Sequence, residues 1–180
     1  MILASCNHDK YSDLIDRAEA LIEVDGNPDG ALSLLHGVCF DSIKSDKNKA
    51  RYGYLYARSM HKTWQKMNSD LFIKQSVDYY QSKGDLIEQM KSLFYYSNYL
   101  YENGFNEASV RALMKSRSLA INLRDDYWRA KTSELMGEIL CGNHNNHEAI
   151  KFNTEAAEYY YRAGREDNAR YSYLDLSILW

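Results

Sequence analysis

Proline is almost missing from this chain: Pro28 stands alone among 180 residues, and glycine occurs only nine times. So few turn-forming residues exclude an all-β protein built on many tight turns, and they exclude a low-complexity linker as well. Cysteine is scarce too. Cys6, Cys39 and Cys141 are odd in number and far apart, which makes no disulfide framework. A surplus of one charge is lacking: 22 basic and 25 acidic side chains are interspersed for a net charge of -3, which offers neither nucleic acid nor an anionic membrane an electrostatic footprint. No run of about twenty apolar residues occurs, so no segment is expected to cross a membrane as a helix. A nucleophile elbow, a phosphate loop and a dinucleotide fingerprint are all missing, and nothing points to catalysis or to a cofactor. What is present is 45% apolar residues, enough for a substantial core without staples, and sixteen tyrosines, each offering packing surface and a polar tip suited to binding.

The chain repeats itself at a spacing of forty residues. Ala57, Ser97, Gly137 and Ser177 form a column of small residues, and three residues later Met60, Leu100, Leu140 and Trp180 form a large apolar one. Tyr56, Tyr96, Met136 and Leu176 precede the small column, while Ser69, Ser109 and Ala149 supply a second small position further on. Within each unit large residues recur three and four apart, as in Leu93, Tyr96 and Leu100, which marks an amphipathic helix. Asp85, Asn106, Asp125, Asn145 and Asp167 stand where helices are expected to begin, since a short polar side chain can accept the free N–H groups of a first turn. The pattern predicts helices over about 9–24, 29–43, 46–63, 67–82, 85–103, 106–122, 125–142, 145–163 and 166–180. Small residues in the column let two helix backbones approach, and stacked units then share one core.

Leu93, Tyr96-Ser97 and Leu100, and again Ser133, Met136-Gly137, Leu140, Ala149 and Ala156, resemble the tetratricopeptide repeat (TPR). The resemblance spans residues 9–180 and implies an all-α right-handed superhelix, a TPR-like solenoid of about four helical hairpins plus one helix. Departures are a period longer than the usual figure of about 34, no closing proline, and Gly53 and Ser133 in place of a large first residue. The final helix, ending at Leu179-Trp180, has no following partner helix, so this domain is expected to belong to a longer protein or to be capped by a partner, with homodimerisation through exposed helix ends as one form of capping.

Residues 1–8 form a separate N-terminal tail. Leu3-Ala4-Ser5-Cys6 is similar to the end of a bacterial lipoprotein signal, although the charged and apolar regions that should precede it are missing. That likeness implies lipidation of Cys6 and a membrane tether facing the periplasm or cell exterior. With an ordinary cysteine there, the chain is expected in the cytoplasm.

The stretch MGEILCGNHNNHEA places Cys141, His144, His147 and Glu148 close together. The ligand spacing is not a familiar zinc spacing, and Asn143, Asn145 and Asn146 are ordinary turn residues, so the stretch is expected to be the turn of a hairpin, with no metal.

In the TPR family the first helices line a concave face. Carried onto this chain by position, that face consists of Arg51, Tyr54, Arg58 and His61, then Lys91, Phe94, Asn98 and Tyr101, then Lys131, Glu134, Glu138 and Cys141. A basic column of Arg51, Lys91 and Lys131 beside Tyr54, Phe94 and Tyr101 is suited to stacking on, and pairing with, an extended or helical peptide. Of the residues needed by the carboxylate clamp of some family members only Asn98 matches, so no such clamp is expected. The resemblance therefore implies a non-enzymatic scaffold for a protein or peptide. The alternative is a sensory or regulatory segment of a larger signalling or transcription-regulating protein.

Overall fold

A computed structural model describes residues 11–178, and side chains through Tyr173. Among these residues every regular element is helical. The chain divides between Gly84 and Asp85 into two compact units. The first unit contains α1 (Ser12–Glu23), α2 (Pro28–His36), a single 3-10 turn (Phe40–Ser42), α3 (Asp46–Lys62) and α4 (Leu71–Lys83). The second contains α5 (Leu86–Glu102), α6 (Asn106–Asn122), α7 (Asp126–Gly142), α8 (Asn146–Arg162) and α9 (Glu166–Ile178). Consecutive helices pair as hairpins: α1 with α2, α3 with α4, α5 with α6 and α7 with α8, with α9 packed on α8. The all-α helical repeat expected from the sequence is the fold observed.

The forty-residue period has a local cause in the caps. Ser45, Asp85 and Asp125, forty apart, each accept a hydrogen bond from the backbone N–H three residues on, at 3.0–3.3 Å. At the other end, α3 to α8 each close on a residue in the left-handed region, and these residues fall at twenty-residue intervals: Trp64, Gly84, Gly104, Arg124, His144 and Gly164. Two expected starts differ. Asn106 lies inside α6, whose cap position is Phe105, and it reaches across to Asn143 Oδ1 at 3.3 Å. Asp167 lies in the first turn of α9.

Contacts across each hairpin repeat the same period. Ser76 Oγ donates to the carbonyl of Ala50 at 2.6 Å in the first unit, and Ser116 Oγ donates to that of Met90 at 2.8 Å in the second, both partners shifted by forty. In the next turn of the pattern the pair is Ala156 and Ala130, fully buried. At the closest approach of α5 and α6, the Ser97 and Ser109 hydroxyls lie 2.9 Å apart and each reaches the other's carbonyl, at 2.9 and 3.0 Å. A Cβ on Gly137 would come within 1.9 Å of Asn153 Oδ1, so the α7–α8 crossing favours glycine there.

The hairpin of α3 and α4 departs from expectation. Helix α4 begins at Leu71 rather than 67, and Ser69 is an exposed loop residue whose Oγ accepts the Leu71 N–H, not a helix contact. Gly53 takes over as the contact point, because a Cβ there would sit 2.0 Å from the carbonyl oxygen of Phe72. The helix that the pattern predicts over 29–43 ends at His36; Val38, Phe40 and Ile43 are nonetheless buried, since the chain beyond Gly37 folds back onto the core. There Phe40, Tyr52 and Phe72 form an aromatic cluster with centroids 4.5–5.3 Å apart. The second unit is centred on Met90, Phe94, Leu113, Trp128, Ile139 and Tyr160. Trp180 and Cys6 lie outside the described residues, as does the side chain of Ser177.

Candidate peptide-binding surfaces

In the first unit, α1 runs beside α3 and supplies acids to it. Arg51 Nη2 lies 2.7 Å from Asp16 Oδ1 and also bonds Glu19. Arg58 bonds Glu23 with both ends of its guanidinium, donates to Tyr54 Oη at 3.1 Å, and stacks 5.9 Å above the Tyr54 ring. Both arginines are mostly covered. Burial alone would lower the Arg51 pKa, but the hydrogen bonds and charges of Glu19 and Asp16 outweigh it and push it up. Tyr54, 3% exposed, belongs to the core and meets Arg58 through both its ring and its hydroxyl. His61 is half-buried at the end of α3.

In the second unit the corresponding positions form a lattice across α5, α7 and α8. Phe94 is 1% exposed, wedged edge-on against Trp128 at 5.4 Å. The Lys131 ammonium sits 5.2 Å above the Phe94 ring and donates to Glu134 Oε2 at 3.2 Å. The same Glu134 oxygen accepts the hydroxyl of the fully buried Tyr160 at 2.7 Å. Burial, with the Glu134 carboxylate next, holds the Tyr160 pKa far above that of an ordinary tyrosine. Asn98 is buried and donates to the Phe94 carbonyl at 3.0 Å. Tyr101, partly exposed, donates to the Glu138 carbonyl at 3.4 Å, and its pKa is raised by burial and by the charges of Glu138 and Cys141. Lys91 pairs with Glu88 one helical turn away at 2.6 Å, and Glu138 is exposed.

The structure thus brings together Tyr54 and Arg58 in one unit, with Arg51 held separately by Asp16 and Glu19, and Phe94 with Lys131 and Glu134 and Tyr101 with Glu138 in the other. The rings of Tyr54 and Phe94 and the amide of Asn98 turn into packed surroundings, so the accessible aromatic of the set is Tyr101. The basic column does not stand unpaired: Arg51, Arg58, Lys91 and Lys131 each meet a carboxylate. The residues that sequence reasoning missed are those partners, Asp16, Glu19 and Glu23, and the packing groups Trp128 and Tyr160. One signal was present. Asp16 and Arg51, and Glu23 and Arg58, are opposite charges 35 residues apart, slightly under one period, which is the offset between neighbouring first helices.

Cys141 lies in the last turn of α7, His144 takes the left-handed turn position, and His147 and Glu148 lie in the first turn of α8, where Glu148 accepts from Lys151 at 2.6 Å. Among the described residues no group of three or more His, Cys, Asp or Glu side chains is placed to hold a metal ion. No helix there is long and apolar enough to cross a membrane.

No protein-family model matches the chain, and no curated protein matches it. A solved structure does: one from Podosopora anserina, described as nearly identical TPR-like repeats of a candidate kinesin light chain, covers 94% of this chain and 94% of its own with a TM-score of 0.59 at 12% identity. The likeness is one of fold, and the fold of this chain is TPR-like.

Proposed function

We propose that the chain is a non-enzymatic scaffold that binds a protein or peptide on the faces formed by its first helices. The observation that carries this reading is the lattice of Lys131, Glu134 and Tyr160 over Phe94, which locks charged side chains on a rigid helical face before any ligand arrives. Side chains already held in place lose little rotamer entropy on binding, so affinity can come from few contacts. Because every cation of the basic column is matched by a carboxylate, the surface presents both signs. The peptide it suits carries acidic and basic residues together, with an apolar or aromatic side chain to stack on Tyr101, rather than a purely acidic sequence.

The test is affinity capture from native lysate and envelope extract, comparing wild type with Tyr101→Ala/Glu138→Lys after circular dichroism shows both folded. A captured protein is then purified and titrated. At least a tenfold weaker Kd for the variant supports the first-helix face. Equal affinity for both chains rejects that face.

A further inference from the structure

Glu134 is a half-buried carboxylate on the first-helix face of the second unit, and its two oxygens are in different states. Oε2 accepts two donors, the Lys131 ammonium at 3.2 Å and the Tyr160 hydroxyl at 2.7 Å. Oε1 accepts no hydrogen bond among the described residues, and 33% of the side chain is exposed. Lys131 stands one turn earlier on α7 and rests on the Phe94 ring of α5. Tyr160 comes from α8, fully buried among Ala130, Ala156 and Ala169. Packing alone would be met there by phenylalanine, which carries no hydroxyl in need of a partner. The hydroxyl instead reaches out of the core to fix one oxygen of an accessible carboxylate, and this aims the other oxygen.

The group that Oε1 meets follows from the charges around it. Lys131 lies on the Oε2 side and is 16% exposed, so the pair turns its negative end outward. Glu138 places an exposed carboxylate one turn further along α7. On the neighbouring helices, Lys91 is held by Glu88 at 2.6 Å and Arg170 lies near Glu166 and Asp167 at 3.9 and 3.7 Å. Arg165 lies over the Tyr127 ring at 5.5 Å.

We propose that Glu134 Oε1 receives an arginine of the bound peptide, and that Tyr160 is the buried positioning residue behind this preference. The role rests on the first-helix face being the binding surface. A guanidinium carries its donors in a fixed fork and can span Glu134 and Glu138, whereas an ammonium is a single point of charge. Tyr101 donates to the Glu138 carbonyl, so the arginine lies beside the peptide residue that stacks on Tyr101.

The probe is a random peptide library on phage, selected on the whole wild-type chain. Selected peptides are then synthesised with arginine or with citrulline, which has the same shape and no charge. Wild type should enrich an arginine at a constant distance from an apolar or aromatic residue, and citrulline there should weaken its Kd about tenfold. Glu134→Gln keeps an oxygen for both donors and turns an amide N–H outward, so it should bind the two forms within about twofold of each other. Tyr160→Phe, shown folded by circular dichroism, keeps the ring but releases the carboxylate, and its citrulline penalty should fall between these values. A purely structural tyrosine would lower the melting temperature and leave the penalty unchanged, which would remove Tyr160 from the role. Peptides that wild type binds and Tyr101→Ala loses, with no arginine preference or with the full citrulline penalty on Glu134→Gln, overturn the role of Glu134 and leave the face standing. No enriched peptide, or peptides that Tyr101→Ala binds as tightly as wild type, overturn both.

Discussion

Arg117 of α6 grips Glu155 of α8 through a single nitrogen shared between both carboxylate oxygens, Nη2 to Oε1 at 2.7 Å and to Oε2 at 2.9 Å, while its Nη1 donates to Ser133 of α7 at 2.7 Å. One guanidinium ties three helices, and it lies 5.5 Å above the Phe152 ring with 16% of its side chain exposed. Removing one partner leaves the other half-desolvated, so Glu155→Ala should cost about 1–3 kcal/mol. In a double-mutant cycle, Arg117→Met with Glu155→Ala should cost less than the sum of the single changes, measured by urea unfolding.

Alanine is the better helix former, yet both tight crossings should reject it to different degrees. At Gly53 the obstacle is backbone, since an added Cβ would meet the Phe72 carbonyl oxygen at 2.0 Å, and Gly53→Ala should lose about 2–4 kcal/mol. At Gly137 the obstacle is the Asn153 side chain, which can rotate, so Gly137→Ala should lose about 1 kcal/mol or less. Adding Asn153→Ala should rescue Gly137→Ala, while no single side-chain change rescues Gly53→Ala. Thermal melts of these variants check the order.

Arg124 and His144 hold left-handed turn positions with φ of 54° and 58° and exposed side chains. Arg124→Gly and His144→Gly should each raise stability by about 1 kcal/mol, because the steric cost of a Cβ there exceeds the extra freedom glycine has when unfolded. Denaturant midpoints moving up without a change in slope are the expected result.

Tyr52 stacks on Tyr56 in the first unit, and burial, with the Tyr56 charge next, pushes its pKa up to about 12 from the ordinary value of 10.0. The fold therefore keeps a proton that the unfolded chain releases. Its contribution to stability is complete below pH 10.0 and is lost as pH rises from there through about 12. Tyr52→Phe should flatten the fall of stability with pH in that window, with little effect near neutrality, as read from denaturant unfolding across the alkaline range.

Much of the helix map was legible because it rests on local rules. Ser45, Asp85 and Asp125 cap their helices from within one turn, and the forty-residue columns mark faces that any helix of that sequence must bury. Two of the departures from the TPR pattern, Gly53 and Ser133, were legible as departures but not as devices. Their reasons are the Phe72 carbonyl on a neighbouring helix and the Arg117–Glu155 pair passing between three helices.

The sequence by itself determined the all-α class, the pairing into hairpins and, apart from the end of α2 and the start of α4, where helices start and stop, since caps, turn residues and periodic apolar positions act over a few residues. Tertiary structure alone decided that Tyr54 and Phe94 turn inward and that Asp16, Glu19 and Glu23 pair with Arg51 and Arg58. Each of these depends on how far one helix slides and tilts against its neighbour, a quantity set by interlocking side chains some 35 residues apart and not by any run of sequence.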